Sequence, residues 1–149
     1  MRSALLFLTA IAVAGAAHAQ LPGLRKRGPA APVPPVLIGI DALRADFVAR
    51  SGANTVYFGG DSAILSAPAK LTLGAQAQWL LQHPEVVVRI EGHAEPSDTR
   101  DHAVAVGARR AQEVRDYLVL LGVPAAQLSM TSWGKERPGP GRAVTVLVR

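Results

Sequence analysis

The stretch EVVVRIEGHAEPSDTRDHAVAVGARRAQEVRDYLVLLG constrains the fold most, because its hydrophobic pattern changes period once in the middle. Residues 85–91 alternate between apolar and more polar positions, which predicts a strand whose wetter face carries Arg89 and Glu91. After a polar turn, apolar residues recur every three or four positions until Gly122, which predicts a helix. A chain that contains this unit must pack a helix on a sheet.

The flanking segments complete a small α+β domain. NTVYF (residues 54–58) predicts a short strand, and Ser66 is suited to cap a helix that Pro84 stops. QLSMTSW and RAVTVLV predict two more strands around the loop GKERPGPG. The resulting order, βαβαββ, predicts a two-layer sandwich with two helices packed on a mixed sheet. DALRADFVARSG, ahead of the first strand, fits either a helix or a further strand.

The chain divides into three parts. Residues 1–19 predict a cleavable signal peptide, with a basic start at Arg2, a short apolar run and the small-residue pattern Ala17-His18-Ala19. Residues 20–36 form a basic, proline-rich linker, and residues 37–149 form the folded domain. We therefore expect an exported protein.

The formal charge of +5 resides mostly outside the domain. From residue 28 onward the chain has twelve Lys and Arg and eleven Asp and Glu, so the domain is nearly neutral. A near-neutral domain is not typical of a nucleic-acid-binding protein. Arg25, Lys26 and Arg27 give the linker its charge. It is either a weak, salt-sensitive tether to an anionic membrane surface or a spacer, and the sequence leaves both open.

The sequence argues against two enzyme hypotheses, a metal site and a phosphodiesterase-like hydrolase. The cluster of His93, Glu95, Asp98, Asp101 and His102 resembles a metal site, but histidines nine residues apart across a turn are more typical of loop and cap residues. The chain has no cysteine, which excludes thiolate ligands, disulfides and a lipid-modified cysteine.

VLIGIDALRAD is similar to a metal-binding segment of phosphodiesterase-like hydrolases, with Asp41 as the ligand. The chain is too short for that fold and lacks the other ligand motifs. The sequence therefore predicts a non-enzymatic protein without cofactor or metal.

VYFGGDSAIL, VRIEGHAE, VGARRAQEVRDYLVLLGVPAAQLSMTSWGKERP and RAVTVLV occur in this order, and together they resemble the OmpA-like peptidoglycan-binding domain. The similarity is greatest to the periplasmic domain of peptidoglycan-associated lipoproteins. It implies a non-catalytic domain that binds the diaminopimelate of the peptidoglycan stem peptide and contributes to cell-envelope integrity. It also implies a periplasmic location at the cell wall or the outer membrane, with Tol-system or other envelope proteins as partners.

The resemblance assigns five residues to the ligand site. Glu95 matches the acid that holds the ligand's ammonium, and Arg110 matches the helix arginine that holds its carboxylate. Asp61 matches a polar loop residue, Arg142 the arginine before the last strand, and Ala94 a position that can offer its backbone N–H. An arginine guanidinium presents two parallel N–H donors to a carboxylate, which the ammonium of a lysine cannot do.

Three departures from the family pattern raise an alternative. Glu95 is one methylene longer than the usual aspartate, Ala103 replaces a common asparagine, and Gly141 replaces the first of two arginines in a loop shortened after Pro138. The chain could then be a degenerate domain that mediates protein interactions without binding the ligand. Glu95 and Arg110 could likewise be ordinary solvated charges of a helix and its first turn.

Overall fold

The computed structural model describes residues 39–96 and 99–148, and the predicted signal peptide and linker lie outside this range. This described part of the chain contains three helices, α1 (Ile40–Ser51), α2 (Ala67–Gln82) and α3 (Arg100–Leu120). The strands are β1 (Thr55–Tyr57), β2 (Val88–His93), β3 (Leu128–Gly134) and β4 (Arg142–Leu147), with a short 3₁₀ turn before β3. The predicted βαβαββ order is confirmed, and the segment that fitted two interpretations is an additional helix, α1.

The four strands form one mixed sheet in the order β1-β4-β2-β3. β2 runs parallel to β3, whereas β4 is antiparallel to both β1 and β2. The parallel pair requires a crossover, which α3 supplies. β2 and β4 therefore occupy the centre of the sheet, and β1 and β3 are its edges.

The helix boundaries follow from local chemistry. Ser66 caps α2, since its side chain accepts a hydrogen bond from the backbone N–H of Ala69 (3.3 Å), and Thr99 caps α3 through the N–H of His102 (3.4 Å). Gly122 follows α3 with a φ of +98°, a left-handed conformation that glycine adopts without strain.

Packing explains why the N-terminal segment is helical. Phe47 of α1 is buried and meets the ring of Trp79 edge-on, with centroids 5.1 Å apart. The indole Nε1 of Trp79 donates to Asp46 (2.7 Å), and this hydrogen bond, helped by Arg50, lowers the pKa of Asp46. α1 is thereby fixed against α2, an outcome that its weakly patterned sequence left open.

One prediction about β2 is wrong in part. Val88 and Ile90 are buried towards the helices as expected, but Glu91 on the supposedly wetter face is only 3% exposed. Arg137, from the loop between β3 and β4, covers Glu91 and donates to its carboxylate (2.8 Å). A residue distant in sequence therefore buries a position that alternation alone assigns to solvent.

Within the described ranges, the helices are too short or too polar to cross a membrane.

α3 lies unusually close to β2, and two glycines permit this. A Cβ on Gly107 would lie 2.9 Å from the carbonyl oxygen of Gly92 and 2.5 Å from the Oγ of Ser132. The Ser132 hydroxyl also donates to the carbonyl of Val104 (2.8 Å), which fixes β3 to the same helix. The two backbones thus approach to a distance that excludes any side chain.

We expect Gly107→Ala to lower the free energy of unfolding by about 1–3 kcal/mol, because the added methyl overpacks this contact. Gly74→Ala in α2 is the matched control, since a Cβ there meets nothing within 4 Å. That control should stabilise the protein by about 0.5–1 kcal/mol through helix propensity. Urea denaturation measures both, and equal stabilisation by the two changes would contradict the close approach.

Candidate functional site

Arg110 lies where α3, the end of β2 and the loop after β1 meet, and its side chain is completely buried. Its Nε donates to the carbonyl oxygen of Ser62 (3.0 Å), one Nη donates to that of His93 (2.7 Å), and the other donates to that of Gly60. The guanidinium also lies over the ring of Phe58, 5.4 Å from its centroid. These contacts offset the cost of burying a charge, and they join three segments of the chain.

The two adjacent arginines of α3 have different environments. Arg110 faces the interior, whereas Arg109 is exposed. Neighbouring helical residues differ in direction by about 100°, so only one of the pair can face the sheet. The geometry therefore separates a buried guanidinium from a solvated one.

The loop that follows β1 forms the outer wall of this region. Gly60 and Asp61 are exposed, and Gly60 has a φ of +49°, which suits glycine. The Asp61 carboxylate is 2.9 Å from Nε2 of His102 in the first turn of α3. Arg110 thus holds the loop from inside, and the Asp61–His102 pair holds it from outside.

The turn after β2 carries the next two predicted residues. Ala94 is buried, and its backbone N–H donates to the carbonyl of Gly134 (2.8 Å). A ligand could use this N–H only by sharing that hydrogen bond. Glu95 follows at the surface of the turn and is partly buried.

The last two positions of interest precede and begin β4. Gly141 lies against the guanidinium of Arg110, and a Cβ on it would be 2.7 Å from Cζ. Arg142 pairs in register with His93 and Tyr57, and its Nη1 donates to the carbonyl of Pro140 (3.1 Å). Because Ala143 points towards the helices, alternation places Arg142 on the opposite face of the sheet from Arg110.

Ala103, where the resemblance implies an asparagine, is fully buried. It forms a small apolar cluster with Ala94 and Val106. An asparagine side chain would bring an amide into this cluster, so the substitution matches its surroundings.

His93 adds a buried titratable group beside the site. Its side chain is 1% exposed, and in the described part of the chain Nδ1 has no hydrogen-bond partner. Burial lowers the pKa of His93 to about 4, with a further contribution from the charge of Arg142. Its imidazole is therefore neutral at neutral pH.

No three His, Asp or Glu side chains gather into a metal-binding group within residues 39–96 and 99–148. His93 is buried in the sheet, whereas His102 faces solvent and pairs with Asp61. Asp98, which the metal hypothesis also used, lies outside the described residues.

The structure brings Asp61, Ala94 and Arg110 to one end of the sheet, with Glu95 next in the chain, and it leaves Arg142 on the other face. Sequence reasoning missed the pairing of Asp61 with His102, which are 41 positions apart. It also missed that backbone carbonyls hold Arg110, because carbonyls leave no trace in a sequence.

Residues 57–144 match the model of the OmpA family. A peptidoglycan-associated lipoprotein of Rhizobium meliloti is 45% identical over 93 residues, which cover 62% of this chain and 52% of the relative. One from Mesorhizobium japonicum is 38% identical over 134 residues, covering 86% and 74%. The chain thus spans about half the length of several curated relatives that it matches.

Solved structures agree with these similarities. The peptidoglycan-associated lipoprotein from Burkholderia pseudomallei superposes with a TM-score of 0.63 at 33% identity, covering 65% of this chain and 92% of that one. The periplasmic domain of Helicobacter pylori MotB, at 24% identity and a TM-score of 0.53, shares the fold.

The buried, neutral His93 predicts loss of stability in acid. Its pKa falls from 6.5 to about 4 on folding, so the unfolded chain takes up the proton first. The free energy of unfolding is therefore highest above about pH 6.5. It decreases as the pH falls towards 4, by up to roughly 3 kcal/mol.

His93→Gln should reduce the pH dependence of the unfolding free energy between pH 7 and 4, measured by urea denaturation. The carboxylates titrate in both proteins and therefore serve as the internal reference. An unchanged pH dependence would mean that His93 is protonated without cost.

Proposed function

The chain belongs to the OmpA family, and on this premise we propose that it is a non-catalytic peptidoglycan-binding module of the cell envelope. We propose that its ligand is the diaminopimelate of the stem peptide. The curated relatives named as peptidoglycan-associated support the general class. The observation that carries the proposal for this chain is the buried Arg110 behind an exposed loop that bears an acid.

The chemistry of the ligand matches that arrangement. The free end of diaminopimelate carries an ammonium and a carboxylate on one carbon, so its site needs both charges within a few ångströms. Asp61 lies on the loop after β1 and Glu95 lies on the turn after β2, and Arg110 holds both of these segments against α3. Both are accessible to a ligand ammonium, whereas Arg110 supplies the positive charge from beneath.

Arg110 has a second part in this proposal. Its guanidinium donates to the carbonyls of Gly60 and Ser62, so these carbonyls point inward. The N–H of the same peptide group points the other way, away from Arg110. In the described chain, the backbone N–H groups of Gly60 and Asp61 donate to no other backbone carbonyl. Such N–H groups over a buried cation form a favourable place for a carboxylate.

The same geometry is also compatible with the alternative, a domain that mediates protein interactions without binding the ligand. Gly141 packs on Arg110 where the family has an arginine, and Ala103 closes an apolar cluster where it has an asparagine. A domain with this site could have lost the ligand and kept the fold as a protein-interaction module. The Tol system or other envelope proteins are the partners that we propose in either case, at the cell wall or the outer membrane.

A pull-down with purified sacculi tests the proposal. The wild-type protein should cosediment, and Glu95→Gln and Asp61→Asn should each weaken binding because they remove a counter-charge for the ammonium. Glu95→Asp restores the family residue and should hold or improve binding. Absence of binding by the wild-type protein would favour the interaction module.

Arg110→Ala should abolish the pull-down, because it removes the positive charge beneath the loop after β1 and the hydrogen bonds that hold this loop against the end of β2. Arg109→Ala is the matched control and should change binding by no more than about 0.5 kcal/mol, because its side chain is solvated. Circular dichroism and thermal unfolding must show each variant folded at the assay temperature. Equal behaviour of the two variants would contradict a specific part for Arg110.

A further inference from the structure

β3 is a long edge strand without charge or proline, and its one bulge, at Trp133, lies near its end, so Leu128–Ser132 pair with β2 in regular register. It has seven residues, LSMTSWG, none of them charged and none a proline. No described strand pairs with its outer side. Natural proteins usually shorten such an edge or place lysine or proline on it, because an open edge accepts another strand. The opposite edge, β1, follows that rule with three residues.

The sheet face away from the helices is basic beside this edge. Glu91 is its buried acid, and it accepts hydrogen bonds from Arg89 (3.0 and 3.1 Å) and from Arg137 (2.8 Å). The two arginine side chains remain 42% and 50% exposed. Arg142 adds a third positive charge to the same face, whereas Glu136 pairs with Arg100 at the start of α3. The face therefore carries more positive charge than its one carboxylate neutralises.

Trp133 connects the charge to the edge. It lies at the bulge where the register of β2 and β3 shifts, and the Arg137 guanidinium lies 3.9 Å from its ring centroid. Its indole Nε1 is buried and has no hydrogen-bond partner among the described residues. Arg137 thus lies directly over the exposed edge, and Arg89 lies one strand further in.

We propose that the β3 edge docks an extended, acidic segment of a partner protein. The segment adds a fifth strand to the sheet, about 4.8 Å from β3. Every second side chain then lies on the basic face, where carboxylates meet Arg137 and Arg89 as Glu91 already does. Backbone pairing gives affinity, and the arginine forks select acidic side chains.

Two other occupants fit this edge less well. A second copy of the chain, paired edge to edge, would bring two basic faces side by side, and like charges repel. A lipid surface would require apolar side chains to insert beside the arginines. On β3 the exposed large apolar residue is Met130 (42%), whereas the most exposed ones, Ile64, Leu71 and Leu120, lie in the loop and the helices.

The probe is a short acetylated peptide of alternating valine and glutamate, titrated into isotopically labelled protein by NMR. We expect shifts of the amides of residues 129–133 and of the Trp133 indole N–H, with slowed amide hydrogen exchange along β3. The same peptide with lysine in place of glutamate should bind at least about tenfold more weakly, because it meets like charge. An N-methylated acidic peptide, which cannot pair its backbone, should not bind.

On the protein side, Arg89→Gln and Arg137→Gln should each weaken binding of the acidic peptide by about three- to tenfold at low salt. Lys70→Gln removes the same charge from an exposed position of α2 and should leave the affinity unchanged. Thermal unfolding of the variants separates a lost contact from a lost fold.

Several outcomes would overturn the proposal. The β3 amides could fail to shift, or the lysine peptide could bind as well as the acidic one. Solubilised peptidoglycan fragments or anionic vesicles could produce the β3 shifts in place of the acidic peptide, which would make the cell wall or a membrane the occupant. The sacculus pull-down does not depend on β3, so the two proposals can fail separately.

Discussion

The buried guanidinium of Arg110 is the interaction on which this end of the domain depends. A charge in a protein interior is costly unless hydrogen bonds satisfy it, and here the carbonyls of Gly60, Ser62 and His93 do so. One side chain therefore fixes the loop after β1, the end of β2 and α3 relative to one another. Stability and the proposed ligand site cannot be separated at this position, which is why binding of Arg110 variants must be compared with their folding.

Arg110 can reach these carbonyls because small residues let α3 approach the sheet. Gly92 and Gly107 bring the backbones of β2 and α3 together, and Gly141 leaves room for the guanidinium itself. One of the departures from the pattern that the resemblance implies, Gly141, falls on this same contact. The resemblance implies larger polar residues at positions 141 and 103. Gly141 lies against the Arg110 guanidinium, whereas Ala103 lies in the apolar cluster with Ala94 and Val106.

Our two proposals use different parts of the sheet, its end near Arg110 and its open face beside β3. The end near Arg110 offers acids and backbone N–H groups to a small zwitterion, whereas the open face offers arginines and an uncharged edge strand to a protein segment. Glu91 is central to the second face because it orients Arg89 and Arg137. Its burial depends on a loop that is distant in the sequence, so alternation within β2 predicted the wrong environment for it.

The sequence by itself determined the element order, the caps at Ser66 and Gly122, and the choice of Arg110 and Glu95 as candidates, because periodicity, capping and motif spacing are local properties. The tertiary structure decided that the segment at Phe47 is helical, that Asp61 pairs with His102, and that Arg142 lies on the face opposite Arg110. It also decided that carbonyls satisfy Arg110. These outcomes depend on contacts between residues far apart in the chain, and on backbone groups that every sequence contains, so no local pattern encodes them.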